Sequence, residues 1–340
     1  MYTPNSMWTW SFTIVATLQA IIAIGLESYV FGKFQSSLKG NAEATTQSRT
    51  IPTYLSVFIF GFLYQLLLVW DALRLKNTIQ VIGLCLYNVG ILVYAAIQMD
   101  QIDDAVDYLA THGNQIDAEF WQDVKPFLIA IPCVMALGTI LLSFIAWKLY
   151  DEFAWTIYKH ISADLRLKRR YLTYQIYIAL LKFDFFFFLG FTVQFLVIVV
   201  NTTDVEFYLT IAAVPITIAL LLLAGWFTRK ENIAGMVAII IIYFGALAYF
   251  LFKLIRMYKV GDDRVLDYLP ARRNLSSFAV ITILLLIATI VLACMCTHNF
   301  GKGLKPHVTR RKVPDVEDMK FGQNELGPVQ GQVPSRMTID

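Results

Sequence analysis

The chain has 340 residues, of which 57% are hydrophobic and only 16% charged, and its net charge is +3. Soluble domains carry roughly 25% charged residues, so an ordinary water-soluble globule is excluded, and the small net charge gives no ground for a nucleic-acid partner. The apolar residues fall in blocks of about 20, the length that crosses a hydrocarbon core of ~30 Å, which predicts an all-α, polytopic transmembrane helical bundle embedded in the lipid bilayer.

Span one is expected at about Trp8 to Phe31, with Trp8 and Trp10 as interface anchors, Gln19 inside it and Glu27 near its far end. No basic n-region or cleavage site precedes it, so it reads as an uncleaved anchor. A polar linker leads to span two, about Pro52 to Trp70, and the tight connector Asp71 to Asn77 leads to span three, about Thr78 to Gln98. An acidic loop from Asp100 to Asp123 precedes span four, about Lys125 to Leu149, where Pro132 can kink the helix by removing a hydrogen bond. A basic loop, KHISADLRLKRR from Lys159 to Arg170, feeds span five, which runs from about Tyr171 to Val200.

Spans six, seven and eight follow at about Tyr208 to Phe227, Ile233 to Ile255 and Leu275 to Cys296. Beyond them the hydrophobicity collapses into a basic, then Pro-, Gly- and Gln-rich tail. Such a tail cannot bury enough apolar surface to offset its ordering entropy. The chain therefore divides into a membrane domain, 1–297, and a cytosolic, largely disordered tail, 298–340.

With eight spans both termini share one side of the membrane. That side carries seventeen Lys and Arg against ten on the other, so the positive-inside rule makes it cytosolic. The weak point is the loop between spans seven and eight, which supplies most of the opposing count; Lys253, Arg256 and Lys259 can snorkel there. A seven-span arrangement with one re-entrant segment is the alternative. Two N-glycosylation sequons, at Asn201 (NTT) and Asn274 (NLS), fall on the lumenal side of the eight-span arrangement. Cys294 and Cys296 lie where the last span meets the tail, a position suited to palmitoylation, with helix-end packing as the plainer reading.

Ionisable groups inside an apolar span are expensive unless paired or wetted, which singles out Lys182 and Asp184 in span five. Two residues apart on a helix, they point in nearly opposite directions. Asp71, Asp151 and Glu152 are the candidate partners of Lys182 in the same leaflet. Lys182, Asp184, Asp71 and Gln194 make a candidate intramembrane polar site, read either as a proton or ion relay or as an interhelical salt bridge that fixes packing. Gln19, Gln65, Asn88, Gln98 and Gln194 can hydrogen-bond between helices, and the run Phe185 to Phe188 suits lipid contact and packing. Arg166, Lys168, Arg169 and Arg170 form a patch for anionic lipid headgroups.

His112, His160, His298 and His307 all fall in loops or the tail and form no H-E-x-x-H. No G-x-S-x-G elbow and no Walker A loop occurs. The expectation is a protein that is not an enzyme, with no cofactor and no metal site. A small-solute or ion transporter using Lys182 and Asp184, and a seven-helix receptor-like protein, are the alternatives.

Three blocks, Trp8 to Gln35, Arg169 to Val199 and Leu286 to Leu304, resemble a fungal family of multi-pass Golgi apparatus membrane proteins to which no activity is assigned. The resemblance spans most of the membrane domain and ends near Val313. It implies a Golgi location and a role as a multi-pass component of the secretory-pathway membrane, and it supplies no functional residues.

Overall fold

The computed structural model describes residues 6–38, 46–111, 116, 120–160, 165–199, 205–258 and 271–302. Its helices are α1 (Met7–Ser37), α2 (Thr46–Arg74), α3 (Thr78–Thr111), α4 (Phe120–His160), α5 (Leu165–Gln194), α6 (Val205–Lys230), α7 (Ile233–Tyr258) and α8 (Arg272–His298). A π-helical turn, Phe195–Val199, extends α5. Eight helices are long and apolar enough to cross a membrane, which sets the seven-span alternative aside.

Several helices outrun the apolar blocks that mark them. α3 continues through Asp103, Asp104 and Asp107 to Thr111, so much of the expected acidic loop is helix. α4 runs unbroken from Phe120 to His160 with Pro126 and Pro132 inside it, and α5 begins at Leu165, so the basic loop shrinks to the link between them. A helix satisfies its own backbone, so it can leave the hydrocarbon and continue into polar surroundings until a breaker stops it. Hydropathy marks the membrane, not the helix end.

Ser6 caps α1 through the Trp8 amide, and its hydroxyl donates to Glu152 Oε2 at 2.6 Å. Arg170 Nη1 donates to the Lys302 carbonyl at 2.7 Å. Glu152 and Arg170 flank the same α4–α5 connection, so both described ends of the chain lie at one end of the bundle, here the terminal face. The opposite end is the distal face.

The main packing pairs are α1 with α4, α5 with α8, α3 with α4 and α7 with α8, while α6 sits at the rim on α5 and α7. Lipid supplies no hydrophobic drive between helices, so close contact depends on small residues and shape. α1 buries Ala16, Ala20 and Ala23 on one face. Its neighbour α4 offers Gly138, where a Cβ would lie 2.5 Å from the Gln19 side chain. The span-five aromatics turn inward: Phe186 and Phe187 are buried, and Phe186 stacks on Tyr64 at 6.0 Å and meets Tyr87 edge-on at 5.0 Å. Phe186 and Phe187 therefore serve interior packing, while Phe185 and Phe188 are half-buried. Lipid instead meets aliphatic stripes such as Val280, Leu284, Ile287, Val291 and Met295 along α8.

Candidate functional site

α5 opens with LRLKRR, and positions 166, 169, 170 and 173 share one helical face. Together with Cys294, Met295, His298 and Asn299 from the end of α8, that face lines a groove of about 620 Å³ on the terminal face. Three guanidiniums stand there beside the N-terminus of a 30-residue helix, whose unpaired amides and dipole also favour an anion. On that side Glu231, in the α6–α7 turn, accepts from the Gly301 amide at 3.0 Å. Lys168 is exposed and does not line the groove. The lysine lies off the arginine face because it sits two residues from Arg166 and Arg170.

The structure places Lys182 and Asp184 in different sites. Lys182 Nζ forms an ion pair with Asp71 of α2 and donates to Gln80 Oε1 of α3 at 2.8 Å. Gln80 Nε2 in turn donates to Asp71 Oδ2 at 2.9 Å and to the Leu68 carbonyl at 3.1 Å, closing a polar triangle among α2, α3 and α5. Asp184 faces α8, where Thr289 Oγ1 donates to its Oδ2 at 2.6 Å, and Oδ1 has no partner among the described residues. Gln194 is fully buried beside the π-turn and finds no hydrogen-bond partner among the described residues. Lys182 and Asp71 are brought together; Asp184 and Gln194 are not part of that cluster.

Asn274 is 0% exposed, so a glycan on it would have to displace the helix packing. Asn201 lies outside the described residues, as does most of the tail. Cys294 is exposed and Cys296 buried against the bundle, which leaves Cys294 as the thiol of the pair that an acyl donor could reach.

Other polar contacts gave weaker signals in the sequence. Gln19 Nε2 donates to Asn88 Oδ1 at 3.0 Å, and Asn88 Nδ2 to Thr139 Oγ1 at 3.0 Å, tying α1, α3 and α4. Gln65 finds no hydrogen-bond partner among the described residues. Gln98 Nε2 donates to both oxygens of Glu27, at 3.1 and 3.2 Å. Lys253 is buried with its ammonium 4.0 Å from the Phe195 ring, not snorkelled to a helix end. Among the described residues these polar groups form small separate sets rather than lining one midplane cavity, the arrangement a transporter would need. Among the described residues no group of three or more His, Cys, Asp or Glu stands close enough to hold a metal ion.

No family model and no solved structure matches this chain. The chain is 33% identical over 317 residues to a UPF0658 Golgi apparatus membrane protein of Schizosaccharomyces pombe, an alignment covering 87% of this chain and 88% of the relative. An alignment of that extent takes in most of the chain and agrees with eight apolar helices. The chain belongs to the UPF0658 family of multi-pass Golgi apparatus membrane proteins.

Proposed function

We propose that this Golgi membrane protein is a non-catalytic component of the bilayer that holds both termini in the cytosol and binds anionic lipid headgroups in its terminal-face groove. The observation that carries the reading is the convergence of Arg166, Arg169 and Arg170 with His298 and Asn299 around one cavity at a helix N-terminus. Guanidinium forks match phosphate oxygens in geometry as well as charge. The surplus of Lys and Arg on the connectors of that face supports a cytosolic orientation, and the cytosolic leaflet is where anionic lipid concentrates.

The test uses the full chain in nanodiscs, comparing neutral discs with discs containing phosphatidylinositol phosphate or phosphatidylserine. Protection of Arg169 and Arg170 peptides from hydrogen exchange or crosslinking should depend on anionic lipid. That dependence should weaken with salt and vanish in Arg169→Glu, Arg170→Glu. Equal behaviour in neutral and anionic discs refutes the headgroup reading. Protease treatment of sealed vesicles that cuts a tag at only one terminus refutes the shared orientation.

A further inference from the structure

Near the distal ends of the helices the bundle buries a carboxylate without giving it a cation. Glu27 on α1 is 1% exposed, and no Lys, Arg or His nitrogen lies within 4.0 Å of it among the described residues. Its hydrogen-bond donor is a neutral amide, Gln98 Nε2. Gln98, itself 1% exposed, keeps its Oε1 without a partner among the described residues.

A third polar side chain comes from α8. Arg273 pairs with Asp104 of α3 at 3.6 Å, and Phe278 meets the Tyr94 ring edge-on at 5.2 Å. Those two contacts fix the register of α8 on α3, and Asn274 lies between them, against the stretch of α3 that holds Gln98. The Asn274 amide is 0% exposed and stands beside the Tyr94 hydroxyl oxygen, an acceptor for its Nδ2, and its Oδ1 has no partner among the described residues. Tyr94 spends its own proton on the Tyr54 carbonyl at 2.9 Å, leaving an oxygen that can only accept.

Oxygen acceptors outnumber the N–H donors here, which are Gln98 Nε2 and Asn274 Nδ2. An uncompensated carboxylate, two amide side chains with unused oxygens and a tyrosine oxygen share one water-poor region, where an unpaired charge or an unmade hydrogen bond is costly. Hard oxygen donors of this type suit hard cations. One carboxylate balances a single positive charge, whereas a divalent ion would leave a net charge buried. We propose that Glu27, Gln98 and Asn274, with the Tyr94 oxygen, form a site for a dehydrated monovalent alkali cation that pins α1, α3 and α8 together below the distal face.

The experiment follows thermal unfolding and calorimetric ion binding of the detergent-solubilised full chain in sodium, potassium or N-methylglucamine chloride at matched ionic strength and at two pH values. Sodium or potassium should raise the melting temperature by about 2–4 °C over N-methylglucamine and give a saturable binding heat. Glu27→Gln, which keeps the shape and removes the charge, should lose both responses. Asn274→Ala should fold and bind several-fold more weakly, which keeps the proposal testable if Glu27→Gln fails to fold. A wild-type protein indifferent to alkali cations overturns the proposal. So does one that responds to pH alone, since the carboxyl would then be satisfied by a proton.

Discussion

Breaking the Lys182–Asp71 pair tests whether the polar triangle holds α5 against α2 and α3. The two side chains are 26% and 31% exposed, between the surface limit of about 0–1 kcal/mol per pair and the 3–5 kcal/mol of breaking a buried one. Replacing Lys182 by Met keeps the stem and removes the charge. Asp71 retains the Gln80 amide, whereas Gln80 Oε1 loses its donor. We expect a loss of about 1–3 kcal/mol for Lys182→Met and a similar loss for Asp71→Asn. The double variant should lose less than the sum by about 1–2 kcal/mol, because each single change strands what the other removes. Thermal unfolding in detergent micelles reads this as about 2–4 °C per kcal/mol. Additivity within about 0.5 kcal/mol would show that the two groups do not act as a pair, and the account of this site would fail.

Other outcomes follow from the packing. At Gly190 a Cβ would lie 2.5 Å from Phe278 Cε1, in a ring held by Tyr94, Phe186 and Phe187, so Gly190→Ala should cost about 1–3 kcal/mol in unfolding experiments. Gly245→Ala, with open space around it, should instead be neutral or stabilise by up to about 1 kcal/mol. Thr289→Val removes the one donor to Asp184 among the described residues and should cost about 1.5–3 kcal/mol, most of it recovered in Asp184→Val, Thr289→Val. A thiol reagent applied to the folded protein should label Cys294 and spare Cys296, read by mass spectrometry of the α8 peptide; equal labelling of both would contradict the orientation of that helix end.

The fold was legible because the signal behind it is coarse: a block of about 20 apolar residues states its own secondary structure in lipid. Eight such blocks predicted eight crossing helices. The helix ends were not legible, since Asp103 to Thr111 and Leu165 to Arg170 are polar and still helical, and nothing in their composition separates helix from loop. Among the site residues, Lys182 stood out as a charge in an apolar run, and Asp71 was among the partners that its depth allowed. Gln80 passed unnoticed, because a glutamine at the start of a span looks like an interface residue until α2 and α5 are placed beside it. Glu27 was visible as a charge, but its pairing with Gln98 needed the register of α1 on α3. Likewise the spacing of Arg166, Arg169 and Arg170 described one face, while the wall formed by His298 and Asn299 came from the far end of the chain.

The contacts between helices also fix depth, and depth assigns the two charged regions different roles. α8 is apolar from Phe278 to Cys296, nineteen residues or about 28 Å, close to a full hydrocarbon thickness. Thr289 touches Asp184 and Lys302 touches Arg170, so Cys296, the terminal-face edge of that block, lies level with about residue 177 of α5. Lys182 is then roughly 7 Å below the edge, within reach of the α2–α3 turn that carries Asp71 and shallow enough to remain partly exposed. A salt bridge there closes the end of the bundle and has no access to the opposite leaflet, which argues for packing over ion coupling. Thr173 to Arg166 stand roughly 6–16 Å above the same edge, spanning the headgroup layer and the water just beyond it. Phosphates carried on an inositol ring would project into that zone, whereas the phosphodiester nearest the glycerol would lie at its base. The arginine groove should therefore hold a headgroup with an outlying phosphate more firmly than phosphatidylserine at equal surface charge. Equal protection by discs of matched charge would mean that the groove senses only the membrane's potential.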